Sequence, residues 1–366
     1  MKILVLNPGS TSTKIAVFQD PEALFVETIR HEAADLDRFA HVMDQEGYRR
    51  EMIMAALARH ELAVSDMAAV IGRGGLLRPM PGGVYAVGPE MLADLSSCSF
   101  GTHASNLGAI LAHDLAARAA IPALIADPVV VDELAPLARY SGHPSIQRRS
   151  IFHALNHKAV ARRVAQELGR AYEELRLIVA HLGGGVSVGA HKLGRVIDVN
   201  NALDGDGPFS PERSGSLPSG ALVSWCFAPD ASEKEIRGRI TGKGGLLAYL
   251  GTASGMEVER RIREGDTLAR EVRQAMAYQV AKEIGAMGAV LRGRVDAVIL
   301  TGGLMHDQEL AALISGQVEF LAPVMVHPGE DEMSALAEAA ERALTGMCET
   351  LTYPPCSVGT DCQNPV

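Results

Sequence analysis

The sequence predicts an α/β protein built from two related halves. Short apolar strands alternate with stretches of helical periodicity along its 366 residues. The chain opens on a strand, a polar glycine turn and a second strand. The same pattern returns about 175 residues later, close to the midpoint, and marks an internal duplication. Gly and Pro are spread throughout and no low-complexity linker separates the halves. They are therefore expected to pack as two lobes around a central cleft, over 1–175 and 176–345, followed by a tail at 346–366.

Each element follows from the local pattern. Residues 3–6 and 14–18 are short apolar runs on either side of Asn7-Pro8-Gly9-Ser10-Thr11-Ser12-Thr13, so they read as strands joined by a turn. Apolar residues at helical spacing predict helices over 48–60, 104–119 and 151–168. Strands are expected at 69–72 and 122–126. In the second half, 177–181 and 186–190 flank Gly183-Gly184-Gly185, and 195–199 supplies a third strand. A polar loop over 200–220 leads into several helices, the longest over 266–292. A strand from residue 297 ends in Thr301-Gly302-Gly303 ahead of another helix. An alanine-rich helix over 331–344 closes the pattern and is open to returning to the first lobe. From Thr345 the chain, with adjacent prolines and Cys348, Cys356 and Cys362, reads as a loosely packed extension.

Composition excludes several classes. Thirty-four basic against forty-four acidic residues give a net charge of −10, which argues against a general binder of nucleic acid or anionic membrane. A few clustered cations still suffice for a small anion. The five cysteines are odd in number and form no CxxC pair, so neither a disulfide framework nor a zinc site is expected and a reducing cytoplasm fits. The opening segment turns polar at Asn7 and lacks the apolar core of a signal peptide. No apolar run approaches eighteen residues, so no membrane span is expected.

The turns carry the chemistry. Asn7, Ser10, Thr11, Ser12 and Lys14 place a carboxamide, three hydroxyls and a cation within eight residues. Backbone N–H groups and hydroxyls at such a turn suit phosphate. Strand alternation puts only part of the set on one side. GxxxxGK[ST] is absent, and a strand rather than a helix follows, so the turn is neither a P-loop nor a dinucleotide fingerprint. Alone it would serve equally as a plain hairpin turn. With Gly183, Gly184 and Gly185 and then Gly302 and Gly303, three glycine turns are available to surround a triphosphate and its nucleoside.

The sequence resembles the acetokinase family, whose members phosphorylate short-chain carboxylates. The likeness rests on LNPGSTSTKIAVF at 6–18, ADPVVVDEL at 126–134, RRSIFHALNHKAVARR at 148–163, HLGGGVSVGAH at 181–191 and DGDGPFSPERSGSLPSG at 204–220. ILTGGLMHD at 299–307 and HPGEDEMSAL at 327–336 extend it, so that it covers about residues 1–345. It implies a duplicated actin-like, sugar-kinase-like fold, the use of ATP and Mg2+, and a homodimer. The reaction implied is reversible, direct phosphoryl transfer to butyrate or a similar acid. Acetate, propionate and branched-chain acids are alternatives, and an inactive nucleotide sensor on the same fold is an alternative of another class.

Residue roles come with the resemblance. Arg73 matches the position that holds the substrate carboxylate, a task suited to a guanidinium fork. Arg213 matches the one that reaches the transferring phosphoryl; its plainer role would be an ion pair with Glu212 or another acid of the loop. His153 and His181 lie in family motifs and suit donation to phosphoryl oxygens. His103 is a weaker substrate-side candidate that equally suits a helix cap. Asp127 matches the catalytic acid. A carboxylate nucleophile is already ionised, so its role is to orient substrate or metal-bound water rather than to take a proton. Gly183, Gly184 and Gly185 are assigned to the phosphates, and Gly302, Gly303 and Leu304 to adenosine. Asp331 or Glu332 matches an acid near magnesium, with the register across Glu330-Asp331-Glu332 left open. One stretch departs: where relatives commonly carry an acid suited to ribose, this chain has Ser254-Gly255, with Glu257 displaced.

Overall fold

The opening turn is a tight hairpin. In the computed structural model, which describes residues 1–19 and 22–353, β1 (Lys2–Pro8) runs antiparallel to β2 (Ser12–Gln19). The Gly9 N–H closes the turn on the Ser12 carbonyl at 2.7 Å. Ile3, Leu4, Val5 and Leu6 are all buried, which is why this strand reads as continuous apolar sequence rather than an alternation. β3 (Glu22–Arg30) pairs with β2 and was not foreseen. It is the sheet's edge, and its charges and exposed Leu24 and Val26 hide the strand pattern.

The rest of this sheet is β4 (Ala69–Arg73), β5 (Val84–Ala86) and β6 (Ala123–Ala126), with β1, β4 and β6 mutually parallel. The helices Glu46–Arg59 and Asn106–Ala119 bury Ile53, Leu57, Leu107, Leu111 and Leu115 against Leu4, Leu6, Ile15 and Val17. The helix Glu332–Leu344 returns to pack on β1, β4 and β6. Beyond it, a strand at Thr350–Thr352 pairs with β5.

The second sheet comprises β7 (Arg176–Leu182), β8 (Val186–Lys192), β9 (Arg195–Val199), β10 (Ala297–Gly302) and β11 (Val324–Pro328). Its order is β11-β10-β7-β8-β9, with an antiparallel β7-β8-β9 meander and β7, β10 and β11 parallel. The first sheet contains β6-β4-β1-β2-β3 with the same directions. The two halves thus share one topology, as the repeated strand–turn–strand pattern leads one to expect.

The chain forms two compact units: Met1–Val131 with the segment from Asp331 onward, and Asp132–Glu330. The division falls earlier than 175/176. The helix Ala154–Glu167 packs Val160, Ala161 and Val164 on Leu177, Val179, Ala297 and Ile299, so it belongs with the second sheet. The segment after Thr345 is not loose at its start. Tyr353 is buried and its hydroxyl donates to Asp94 Oδ2 at 2.9 Å, while Leu351 packs on the cluster around Met91 and Leu95. Cys356 and Cys362 lie outside the described residues. Among the described residues no helix is long and apolar enough to cross a membrane.

Candidate active site

In both units the assigned residues cluster where parallel strands end, the side of an open α/β sheet on which ligands bind. Asn7 lies near the end of β1, Arg73 closes β4, and Asp127 follows β6. Thin packing at the β4 end has a cause. A Cβ on Gly72 would come within 2.1 Å of the Gly108 carbonyl, and one on Gly108 within 2.2 Å of the Arg73 carbonyl. Only a glycine pair lets the helix Asn106–Ala119 sit this close and hold Arg73 at the strand tip.

The three neighbouring acids do three different jobs. Glu332 Oε2 accepts from Asn7 Nδ2 at 2.6 Å and from Arg73 Nη1 at 3.1 Å. Asp331 Oδ1 accepts from the Ser334 N–H and caps the last helix. Glu330 belongs to the second unit, where its Oε1 is 3.0 Å from His181 Nε2. Glu332 is therefore the acid gathered with Asn7 and Arg73.

Asp127 is buried, and its backbone is left-handed at φ 38°, a strained setting for a residue other than glycine. Its Oδ1 accepts from the Gly83 N–H at 2.8 Å, which fixes the carboxylate. His103 Nδ1 accepts from the Ser105 N–H at 3.2 Å and lies 2.8 Å from Ser105 Oγ, so it shapes the turn before the helix Asn106–Ala119. Partial desolvation and then the Arg73 charge push its pKa down.

Ser10 and Thr11 are exposed at the hairpin tip, and Lys14 is exposed opposite Asn7 in register, hence on the same face. A residue missed in the sequence holds this tip. Arg49 is fully buried; its Nη1 donates to the Gly9 and Ser12 carbonyls at 2.9 and 3.1 Å and to Thr13 Oγ1 at 3.0 Å. Its Nη2 reaches the Ser10 carbonyl at 3.3 Å. Burial pulls its pKa down. The signal was present: Arg49 shares a helical face with Ile53, Ala56 and Leu57, where an exposed arginine would not fall. Arg49→Met is expected to cost about 2 kcal/mol of stability, since the loop carbonyls lose a buried donor. Urea denaturation checks this, and an unchanged midpoint refutes it.

In the second unit β7 ends in His181-Leu182 and the glycine turn follows. His181 is buried; Asn156 Oδ1 lies 2.8 Å from its Nδ1, and its ring stacks on His153 with centroids 3.9 Å apart. A Cβ on Gly183 would meet Glu330 Oε1 at 2.4 Å, and one on Gly185 would meet Arg213 Nη1 at 2.1 Å. Arg213 thus lies directly over the turn. It donates to the Ala202 carbonyl, and its loop is tied down by Ser210, whose Oγ donates to the Gly184 carbonyl at 2.6 Å and accepts from the Arg213 N–H at 3.1 Å. Burial lowers the Arg213 pKa, with Glu212 opposing, yet among the described residues Arg213 makes no ion pair.

Gly185→Ala tests that contact. The severe clash, 2.1 Å, falls on the end of the Arg213 side chain, while the Ala202 carbonyl at 3.1 Å has only a few tenths of an ångström to give, so Arg213 should be pushed aside at a small cost in stability. We expect kcat to fall about tenfold with little change in melting temperature. Equal loss of folding and activity would refute the local effect.

The third turn sits beside the second. Gly302, at φ 96°, leaves space that a Cβ would close against the Leu182 carbonyl at 2.3 Å. A Cβ on Gly255 would lie 3.0 Å from Leu304 Cδ2, so the departing stretch borders this turn. There Ser254 caps the helix Gly255–Arg263, and Glu257 is bound to Arg260 at 2.7 Å. His153 precedes the helix Ala154–Glu167, with Nδ1 2.9 Å from Ser187 Oγ. Among the described residues, no group of three or more His, Cys, Asp or Glu is arranged to hold a metal ion.

Comparison with known proteins shows the family and the fold. A curated relative, butyrate kinase 2 of Clostridium acetobutylicum, is 51% identical over 352 residues, 96% of this chain and 99% of the relative. Among solved structures, the acetate kinase of Porphyromonas gingivalis aligns at TM-score 0.76 and 20% identity, over 93% of this chain and 99% of that one. The propionate kinase of Francisella tularensis subsp. tularensis SCHU S4 aligns at TM-score 0.73 and 19% identity, over 92% and 98%. These two share the fold. The acetokinase family profile matches residues 136–329, so by sequence across nearly its whole length and by the fold of both units, this chain belongs to the acetokinase family.

Proposed function

We propose that this chain transfers the terminal phosphoryl group of ATP to the carboxylate of a short-chain fatty acid, butyrate or a close analogue, giving ADP and an acyl phosphate. The observation that carries this is the 51% identity, across nearly both chains, to a relative named for butyrate. The nucleophile is ionised at neutral pH, so the chemical problem is repulsion between two anions rather than proton removal.

Arg73 takes the substrate carboxylate in its guanidinium fork. Asp127, its Oδ1 held by the Gly83 N–H, orients and does not abstract. Arg213 and His153 donate to the transferring group as its charge spreads, and His181, whose Nδ1 faces Asn156 Oδ1, does so by exchanging Glu330 for a phosphoryl oxygen at Nε2. The Gly183–Gly185 backbone meets the phosphates, and Gly302, Gly303 and Leu304 meet the nucleoside. The hairpin tip at Ser10, Thr11 and Ser12, with Lys14 and Asn7 on one strand face, offers further phosphate donors.

Mg2+ belongs to the same reading. It takes oxygen ligands, usually one or two carboxylates beside substrate phosphates and water. Glu332 and Asn7 Oδ1 would be its protein oxygens, in exchange for the Arg73 Nη1 that both accept from here, whereas Asp331 is engaged as a cap. Bound there, the ion would offset phosphate charge. A homodimer completes the reading and rests on the family resemblance, and a cytoplasmic setting rests on the odd, unpaired cysteine count of the sequence; sedimentation velocity tests the dimer.

The decisive assay couples ADP release, or hydroxamate capture, to acetate, propionate, butyrate and isobutyrate with Mg-ATP. Turnover greatest with butyrate or isobutyrate is expected. ATP binding without phosphorylation of any acid would replace this reading with the nucleotide sensor, for which Ser254 in place of an acid is the motive.

A further inference from the structure

Behind His153 the second unit carries a file of polar side chains that the reaction above does not use. Tyr172 Oη lies 2.8 Å from His191 Nδ1, and His191 Nε2 lies 3.3 Å from His157 Nδ1. His157 Nε2 is 2.8 Å from Ser187 Oγ, which is 2.9 Å from His153 Nδ1. Tyr172, His157, Ser187 and His191 are all buried.

Local geometry builds the file. His153 and His157 are four residues apart, one helical turn, at the start of the helix Ala154–Glu167. Ser187 and His191 lie on one face of β8, with Gly189 between them. A Cβ on Gly189 would press to 3.3 Å from His157 Nδ1, so the glycine makes room for the ring.

Proton counting gives the file a direction. Ser187 has one hydroxyl proton, so it donates to one of its two rings and accepts from the other. A neutral imidazole has one N–H, so each ring that accepts at one nitrogen donates at the other. The four bonds therefore all point toward His153 or all point away. A phenol is the better donor and an imidazole nitrogen the better acceptor, so Tyr172 donates to His191 and sets the direction toward His153. An extra proton on the interior rings is opposed. Burial and then His191, His181 and His153 hold the His157 pKa well below the ordinary range, and burial and then Lys158 and Arg162 do the same for His191.

We propose that Tyr172, His191, His157 and Ser187 are positioning residues that lock His153 in the Nε2–H tautomer, so that it presents a donor to the transferring phosphoryl. Phosphoryl oxygens only accept, and the opposite tautomer would meet them with a lone pair. The tautomer follows from the file; its use rests on the kinase reading.

Long-range proton–nitrogen NMR of 15N-labelled protein, with His153 assigned through His153→Gln, reads the tautomer directly. We expect Nε2–H in the unmodified protein near neutral pH. Tyr172→Phe frees His191 Nδ1 to keep the proton. It should shift His153 toward Nδ1–H and lower kcat about tenfold, the kinetic equivalent of one hydrogen bond, with KM within about twofold. Nδ1–H or a doubly protonated His153 in the unmodified protein overturns the proposal. So does a tautomer unmoved by Tyr172→Phe, and a moved tautomer with unchanged kcat overturns its catalytic use. If Tyr172→Phe fails to fold, the unmodified spectrum alone decides. That spectrum is recorded without substrates, so a failure there is distinguishable from a failure of the phosphorylation assay.

Discussion

Arg213→Ala is expected to lower kcat at least about a hundredfold, the scale for losing a contact made to the transition state. The guanidinium lies over Gly185, where a Cβ would approach to 2.1 Å, and its loop is clamped to the same turn through Ser210. Among the described residues its hydrogen-bond partner is the Ala202 carbonyl, and Glu212 acts on it only through space. A half-buried charge with no carboxylate in contact costs stability at rest and returns it when an anion arrives. Alanine should therefore spare folding while removing activity. Arg213→Lys keeps the charge but not the fork and should fall between the two. Steady-state kinetics beside a thermal melt read both quantities. An unchanged kcat would remove Arg213 from the mechanism.

Arg73→Ala is expected to reduce kcat/KM for the acid about a hundredfold, since hydrogen bonds to a charged group are the strong ones and two are lost. The loss should appear chiefly in KM for the acid, with KM for ATP little changed. In the structure Arg73 Nη1 donates to Glu332 Oε2 at 3.1 Å, an internal carboxylate where the substrate's is assigned. The variant leaves Glu332 its bond from Asn7, so the acid keeps a partner. Varying acid and ATP separately checks the split. An unaltered KM for the acid would remove Arg73 from substrate binding.

Much of the fold was legible because burial on both faces writes itself as unbroken apolar sequence. β1, β7 and β10 are of this kind. β3 was not, because an edge strand carries Glu22, Glu27 and Arg30 where a core strand would alternate. The Thr350–Thr352 strand was lost among turn-like residues, and its anchor, Tyr353, is a single side chain. The domain boundary was misplaced because the repeat marks where a topology restarts. It does not mark where contacts divide, and the helix Ala154–Glu167 precedes the restart yet packs on the second sheet.

At the site, motif residues were readable and their supports were not. Arg49 lies in no motif, and only its place on one helical face with Ile53 and Leu57 marks it. Glu330, Asp331 and Glu332 are chemically near-identical in sequence, and only the chain direction at the helix start separates a partner for His181, a cap and a partner for Asn7. Ser187 gave no signal, because one serine in a strand has no pattern to break.

The interrupted make-up of the first unit has a consequence for biosynthesis. Its sheet lacks an end strand, and β1, β4 and β6 lack the helix laid on them, until residues 332–352 have cleared the ribosome. The other unit, one continuous segment from Asp132 to Glu330, has every strand available sooner. The apolar β1 and β4 are thus made well before the helix and strand that enclose them, and in the interval they need shelter from premature association.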